Sequence, residues 1–325
     1  MNVLSLFNGV SCGRLALERA GISIDKYYSS EIDKYALAVD AKNYPDNIQL
    51  GDVTKWREWD IDLTKIDLIM AGSPCQGFSL AGKQLAFDDP RSKLFFEFVD
   101  ILKKVKPKYF LLENVKMKKE YQDIISDILG VKPIQINSSL VSAQSRKRLY
   151  WTNIPNVKQP EDKKIYLKDV LEQEVEAKYF LSEKLVNGFL NSKSVFRDRF
   201  KPIEDGNTKS QCLTARYFKM GKTDPYIMEK PMRLGSFNKG GQGDRVYNKD
   251  AKSVTLSAHG GGRGAKTGLY YVENGIRKLT PIECERLQNL PDNWTEGVSN
   301  TRRYQCCGNG WTVDVIAHII RNIKE

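Results

Sequence analysis

VLSLFNGVSCGRLALERAG, residues 3–21, holds a complete structural transition. VLSLF (3–7) is a short apolar run with the length and branching of a buried strand. Gly9 ends it, and GRLALERAG (13–21) follows with apolar residues at helical spacing and a glycine stop. The same alternation continues downstream. YYSSEI (27–32) reads as a second strand, followed by a helix through KYALAVDAK (34–42). IDLIMAG (66–72) and YFLLENV (109–115) are two more apolar runs, separated by the helical SKLFFEFVDILKKV (92–105). Apolar strands interleaved with helices predict an α/β fold whose sheet is mostly parallel and covered on both faces. Ligands of such sheets bind beyond the carboxyl ends of the strands. Gly9, Glu31, Asp52, Cys75 and Glu113 are all expected at or just past those ends.

The bulk properties bound the problem. A chain of 325 residues with 41% hydrophobic content builds one large core, or a large domain with a smaller one attached. No apolar run approaches the length of a bilayer span, so no membrane partner is expected. Met1 leads directly into a core strand instead of a cleavable leader, which predicts an intracellular, cytoplasmic protein. The six cysteines stand at 12, 75, 212, 284, 306 and 307, with no C-x-x-C pair, and His259 and His318 are the only histidines. That pattern speaks against a zinc site and against a disulfide framework, and leaves the thiols reduced.

The net charge is +11, and its distribution is uneven. Between Glu176 and Gly275 there are 18 Lys and Arg against 10 Asp and Glu, so +8 of the excess lies in under a third of the chain, along with 13 of its 24 glycines. Charge and glycine content change together, which predicts domains at 1–175 and 176–275 and a C-terminal segment at 276–325. KSQCLTARY (209–217) and KSVTLSAHG (252–260) form a weak internal repeat, read as paired β segments. After Arg277 the helical pattern returns in TPIECERLQNL, and TVDVIAHIIRNI is expected to pack back onto the first domain.

The candidate chemistry lies in the turns. LFNGVSCG (6–13) lets the backbone approach a ligand closely. Glu31, after the second strand, suits ribose hydroxyls. Asp52, in GDV, suits an adenine amino group. The turn lacks a G-x-G-x-x-G phosphate cradle, so a nucleoside cofactor without phosphates, such as S-adenosylmethionine, fits better than a dinucleotide. Cys75, in SPCQGFS, lies outside the apolar run that precedes it. A lone cysteine is most often a small buried hydrophobe, and a nucleophilic role needs its proton removed. QSRKRLYW (144–151) brings Arg146, Lys147 and Arg148 to the start of a further strand. Burial of Glu113 at the end of LLENV would favour a protonated acid. A thiolate that adds to C6 of cytosine, with an acid at N3, would activate C5 toward a methyl group.

At this point the motifs resemble one family, the DNA cytosine-5 methyltransferases. FNGVSCG, SEID, GDV, GSPCQGFS, ENV, QSRKRLYW, RKLTPIECERLQNLPDNW and CCGNGWTV occur in the family's order over nearly the whole chain. The resemblance implies a class I S-adenosylmethionine-dependent, Rossmann-like mixed sheet with a smaller target-recognition domain at 176–275. It implies Cys75 as covalent nucleophile, Glu113 at N3, Arg148 on the flipped cytosine and Arg146 ordering the site. Phe7, Gly9, Glu31, Asp52, Pro74, Leu94 and Asn309 would line the cofactor pocket, and 79–91 would be a loop that closes over DNA. Arg216, Lys219 and Arg263 are candidates to meet DNA by position alone.

The first motif departs from the family where Ser11 and Cys12 replace glycines. Cys12, Cys306 and Cys307 are expected to be packing residues. The implied partner is double-stranded DNA, in a bacterial nucleoid or a phage-infected cell, with a cognate restriction endonuclease as a further candidate partner. A monomer suffices for an asymmetric flipping reaction. Alternatives are a tRNA cytosine-5 methyltransferase, a catalytically silent DNA-binding protein, and a redox-cysteine oxidoreductase.

Overall fold

A computed structural model of the chain describes residues 1–73, 93–180 and 275–323, with 208–210, 212–213, 215, 217–219, 225–229, 233–236 and 245–247 between them. Pro74, Cys75, the 79–91 segment, Arg216, Arg263 and the second copy of the repeat lie outside the described residues.

Seven strands form the central sheet: β1 (Asn2–Leu6), β2 (Lys26–Ser30), β3 (Ile48–Gln49), β4 (Leu68–Ala71), β5 (Tyr109–Val115), β6 (Ile134–Asn137) and β7 (Lys147–Thr152). Their order is β3-β2-β1-β4-β5-β7-β6. The five strands from β3 to β5 are parallel, and β7 runs antiparallel to both β5 and β6. This is the mixed sheet that the family resemblance implies. The strand order reverses between β1 and β4, the point at which such sheets open a crevice for ligands.

Strand periodicity divides the core into two layers. Along β1, Val3 faces one layer and Leu4 and Leu6 the other. Leu68 and Met70 alternate with Ile69 and Ala71 along β4, and Tyr109 and Leu111 with Phe110 and Leu112 along β5. One layer is covered by α1 (Cys12–Ala20), α2 (Lys34–Asn43) and the C-terminal α7 (Val313–Ile320). The other is covered by α3 (Lys93–Val105) and α4 (Lys119–Leu129). Gly21, with φ +77°, closes α1, its N–H meeting the Glu18 carbonyl while Ile22 N–H reaches Leu17. Asp33 caps α2 through the N–H groups of Tyr35 and Ala36. Two further helices, α5 (Pro281–Leu287) and α6 (Asn300–Asn309), precede α7. Helix α7 lies in the same unit as α1: Arg19 of α1 and Lys163 hold its Asp314 at 2.7 and 2.8 Å.

The contacts divide the chain into two compact units. One comprises Met1–Leu171, Lys209–Lys219 and Pro281–Glu325. The other comprises Glu172–Thr208 and Met220–Thr280. Residues 209–219 thus belong to the sheet unit, although their composition matches the basic segment. Ser210 donates to the Ala143 carbonyl and accepts from Ser145 N–H, and the Lys209 ammonium is satisfied by the carbonyls of Ser139, Ser142 and Ile165. Among the described residues of the first copy of the repeat, Ser210 forms an isolated bridge with Gln144 and Tyr217 opens a 3-10 turn (Tyr217–Lys219). In the second unit β8 (Tyr226–Glu229) pairs antiparallel with β11 (Gly275–Lys278), and β9 (Arg233–Ser236) with β10 (Arg245–Tyr247). No helix among the described residues is long and apolar enough to cross a membrane.

Candidate active site

Residues that follow β1, β2 and β3, with Gly72 and Ser73 after β4 and the end of β5, line a cavity of about 400 Å³ in the sheet unit. All nine described residues expected at the site line it: Phe7, Gly9, Glu31, Asp52, Leu94, Glu113, Arg146, Arg148 and Asn309. Ser73, the last described residue after β4, and Leu94, at the start of α3, also line it. Ser73 and Leu94 bracket in sequence the segment that holds Pro74 and Cys75, which lies outside the described residues.

At one end the turn after β1 is drawn to Glu31. Gly9, with φ +60°, donates its N–H to Glu31 Oε2 at 2.8 Å. The N–H groups of Ile32 and Asp33 bind Oε1 of the same carboxylate at 2.8 and 2.9 Å. Three backbone donors thus fix Glu31 while lone pairs remain for a ligand's hydroxyl groups. Asp52 caps a 3-10 turn with Oδ1, which accepts from both the N–H and the hydroxyl of Thr54. Its Oδ2 has no partner among the described residues. Beside Glu31, Ile32 is 72% exposed, an apolar surface on the cavity wall.

This set of groups fits S-adenosylmethionine. Two carboxylates offer acceptors to ribose hydroxyls and an amino group, Ile32 offers a surface to a purine, and the acidic end would repel a pyrophosphate. Asn309, the last residue of α6, lines the same cavity.

The other end is basic. β5 pairs with β4 only as far as Leu112, but with β7 as far as Val115. Glu113 is therefore not past the end of its strand. It is the first residue beyond the parallel ladder, still held opposite Tyr150 of β7. Arg148, two residues from Tyr150 on the same strand, projects on the same face. Its Nε meets Glu113 Oε1 at 2.9 Å. Glu113 thus has an ionic partner that the sequence assigned to the base instead.

Arg146 is 5% exposed, and its guanidinium donates to the carbonyls of Leu213, Gly308 and Gly310 at 3.1, 3.1 and 3.2 Å. Burial and, next, the charge of Arg148 lower its pKa. Its contacts tie the start of β7 to the end of α6, so it orders the wall of the cavity. Cys12 and Cys306 are buried thiols, pushed up to about 11 and about 12 by desolvation, and burial raises Cys307 as well. None of the three is disposed to ionise near neutral pH.

Several lining residues escaped the sequence. Ser73 and Asn114 meet through a 3.3 Å hydrogen bond, and Arg302 lies with its guanidinium carbon 4.1 Å from the centre of the Tyr35 ring. Ile32 carried one signal, an isoleucine directly after the acid in SSEID. Arg302 carried none, because helix α6 begins in a stretch rich in polar residues.

Comparison with known proteins identifies the family. The family model described as C-5 cytosine-specific DNA methylase matches residues 1–325. The chain is 31% identical over 342 residues to the Type II methyltransferase M.HhaI of Haemophilus parahaemolyticus, covering 99% of this chain and 94% of that protein. Among solved structures it is similar to the Entamoeba histolytica methyltransferase EhMeth, with a TM-score of 0.72, 20% identity and coverage of 100% and 99%. It is also similar to Spodoptera frugiperda DNMT2, with a TM-score of 0.65, 20% identity and coverage of 99% and 98%. The fold, the cavity and the full-length match establish that the chain belongs to the C-5 cytosine-specific DNA methylases, enzymes that methylate cytosine in DNA with S-adenosylmethionine as donor.

Proposed function

We propose that the protein methylates a cytosine swung out of double-stranded DNA, through a covalent bond from Cys75 to C6 of the base. The observation that supports this most is the convergence of the nine described candidate residues on one cavity, which Ser73, two residues before Cys75 in sequence, also lines. When bound, S-adenosylmethionine supplies an electrophilic methyl group on a sulfonium. Phe7, Gly9, Glu31, Asp52, Leu94 and Asn309 would hold it, together with Pro74.

The Cys75 thiol gives up its proton to solvent and the thiolate adds to C6 while Glu113 delivers a proton to N3, so the electron pair of the C5–C6 bond becomes available at C5. Arg148 steadies Glu113 and the base, and Arg146 keeps the wall in place. C5 then takes the methyl group, with cleavage of the sulfonium S–CH3 bond to leave a neutral thioether. Loss of the C5 proton to a base expels the thiolate and restores the ring, and N3 returns its proton to Glu113. Extruding the base costs roughly a few kcal/mol. Phosphate contacts from the basic 176–275 region, the target-recognition part in this scheme, would offset it. One active site suffices, so the protein acts as a monomer, and a restriction endonuclease of the same specificity is its natural companion.

Transfer of a tritiated methyl group, followed by digestion to nucleosides, tests the substrate. 5-Methyldeoxycytidine from duplex DNA is the expected product. Label only in tRNA would overturn the assignment to duplex DNA.

A further inference from the structure

The turn that carries the cofactor end of the cavity is built from an unusual backbone. Phe7, Gly9 and Ser11 alternate in the left-handed region, with φ of 57°, 60° and 60°. Glycine occupies that region freely, whereas a residue with a Cβ does so at a cost. Ser11 is fully buried and lies outside the cavity lining, so no ligand accounts for its conformation.

A polar network beneath the turn does. The Ser11 hydroxyl donates to Asp40 Oδ1. Asp40, on α2, is a fully buried carboxylate, and such a group is tolerated only when hydrogen-bonded. Asn47 Nδ2 donates to the same Oδ1 at 2.6 Å, and Gln49 Nε2 donates to Oδ2. A carboxylate only accepts, so the single hydroxyl proton of Ser11 is committed to Asp40. The Ser11 lone pairs are then left for Asn8 Nδ2 at 2.9 Å and Asn47 Nδ2 at 3.2 Å. Asn8 is itself anchored by the Tyr27 hydroxyl at 3.0 Å and by its own N–H on the Ser30 carbonyl at 3.1 Å. Every group in the network has one permitted direction, and together they determine where the Asn8–Ser11 turn lies.

We propose that Asp40, acting through Ser11, is a positioning residue for the cofactor: it holds the turn in the left-handed conformation that presents the Gly9 N–H to Glu31. In this chain a hydrogen-bonded serine does what a glycine's conformational freedom would otherwise allow, and the buried carboxylate keeps it there. The inference rests on the cavity being the S-adenosylmethionine site.

Equilibrium binding of S-adenosylmethionine to the full chain tests that site first. Failure of the wild type to bind would sink the site assignment and the inference together. Given binding, Ser11→Ala keeps the Cβ without its anchor, Asp40→Asn places an amide donor among donors, and Ser11→Gly removes both anchor and steric cost. The expected order of affinity is wild type, then Ser11→Gly, then the other two, with Ser11→Ala weaker than wild type by about tenfold. KM for S-adenosylmethionine should rise in step, while KM for DNA moves less than about twofold. Combining Ser11→Ala with Asp40→Asn should cost less than the sum of the two. Should Asp40→Asn fail to fold, the two Ser11 variants still decide the matter. Cofactor affinity unchanged in folded Ser11→Ala, or cofactor and DNA affinity falling together, would overturn the inference.

Discussion

Arg148 Nε stands 2.9 Å from Glu113 Oε1 across the antiparallel ladder of β5 and β7, with both side chains largely withdrawn from water. The pair places an acid and a cation side by side in the cavity wall. Glu113→Gln keeps the shape and removes the carboxyl group that would exchange a proton with N3, so turnover should fall by about 10²–10⁴-fold. Arg148→Ala removes the ionic partner of a buried carboxyl group and should cost about 1–3 kcal/mol of stability as well as activity. Steady-state kinetics and urea denaturation of the two variants separate these effects.

Gly72 follows β4 at the cavity wall, and a Cβ there would come within 2.7 Å of the Trp311 Nε1. Trp311 links α6 to α7, so it has little freedom to retreat. Gly72→Ala should destabilise the protein by about 1–3 kcal/mol through overpacking and weaken cofactor binding with it. Chemical denaturation and calorimetric titration measure the two.

Asp314 fastens the C-terminal helix. Burial pushes its carboxyl upward, but Lys163 and Arg19 outweigh burial and hold it below the ordinary carboxylate range. Because the folded pKa lies below the unfolded one, the stability it contributes is present above about pH 4 and is lost as pH falls through the folded value. Asp314→Asn should cost about 1–3 kcal/mol at pH 7 and flatten the acid limb of the stability curve. Melting temperature against pH for both proteins checks this.

Cys12 and Cys306 make the opposite prediction. Their thiols are raised from 9.0 to about 11 and about 12, so the stability they contribute is complete below pH 9 and is lost as pH climbs toward those values. Native protein at pH 8 should leave both unmodified by iodoacetamide, as mass spectrometry of tryptic peptides would show.

Much of this was legible in the sequence because strands buried on both faces write continuous apolar runs. Runs at 3–7, 66–72 and 109–115 became β1, β4 and β5, and Gly21 ended α1 where a glycine stop was expected. β3 is only two residues, too short for any period to register, and α6 has few apolar residues to mark a face. The site was legible where an acid or a glycine stands at a strand end, as with Glu31 and Gly9. It was not legible where function depends on register: the pairing of Glu113 with Arg148 follows from how β7 aligns on β5, which neither segment encodes alone. The placement of 209–219 was missed for a related reason, since Lys209 is satisfied by carbonyls from three distant positions.

The most direct measurement uses duplexes carrying 5-fluorocytosine at varied positions, incubated with S-adenosylmethionine and either the wild type or Cys75→Ala. Fluorine at C5 cannot leave as a proton does, so the account predicts a denaturation-resistant protein–DNA adduct that requires both the cofactor and Cys75. An adduct formed equally by Cys75→Ala, or none from an enzyme that methylates ordinary duplex DNA, would contradict it.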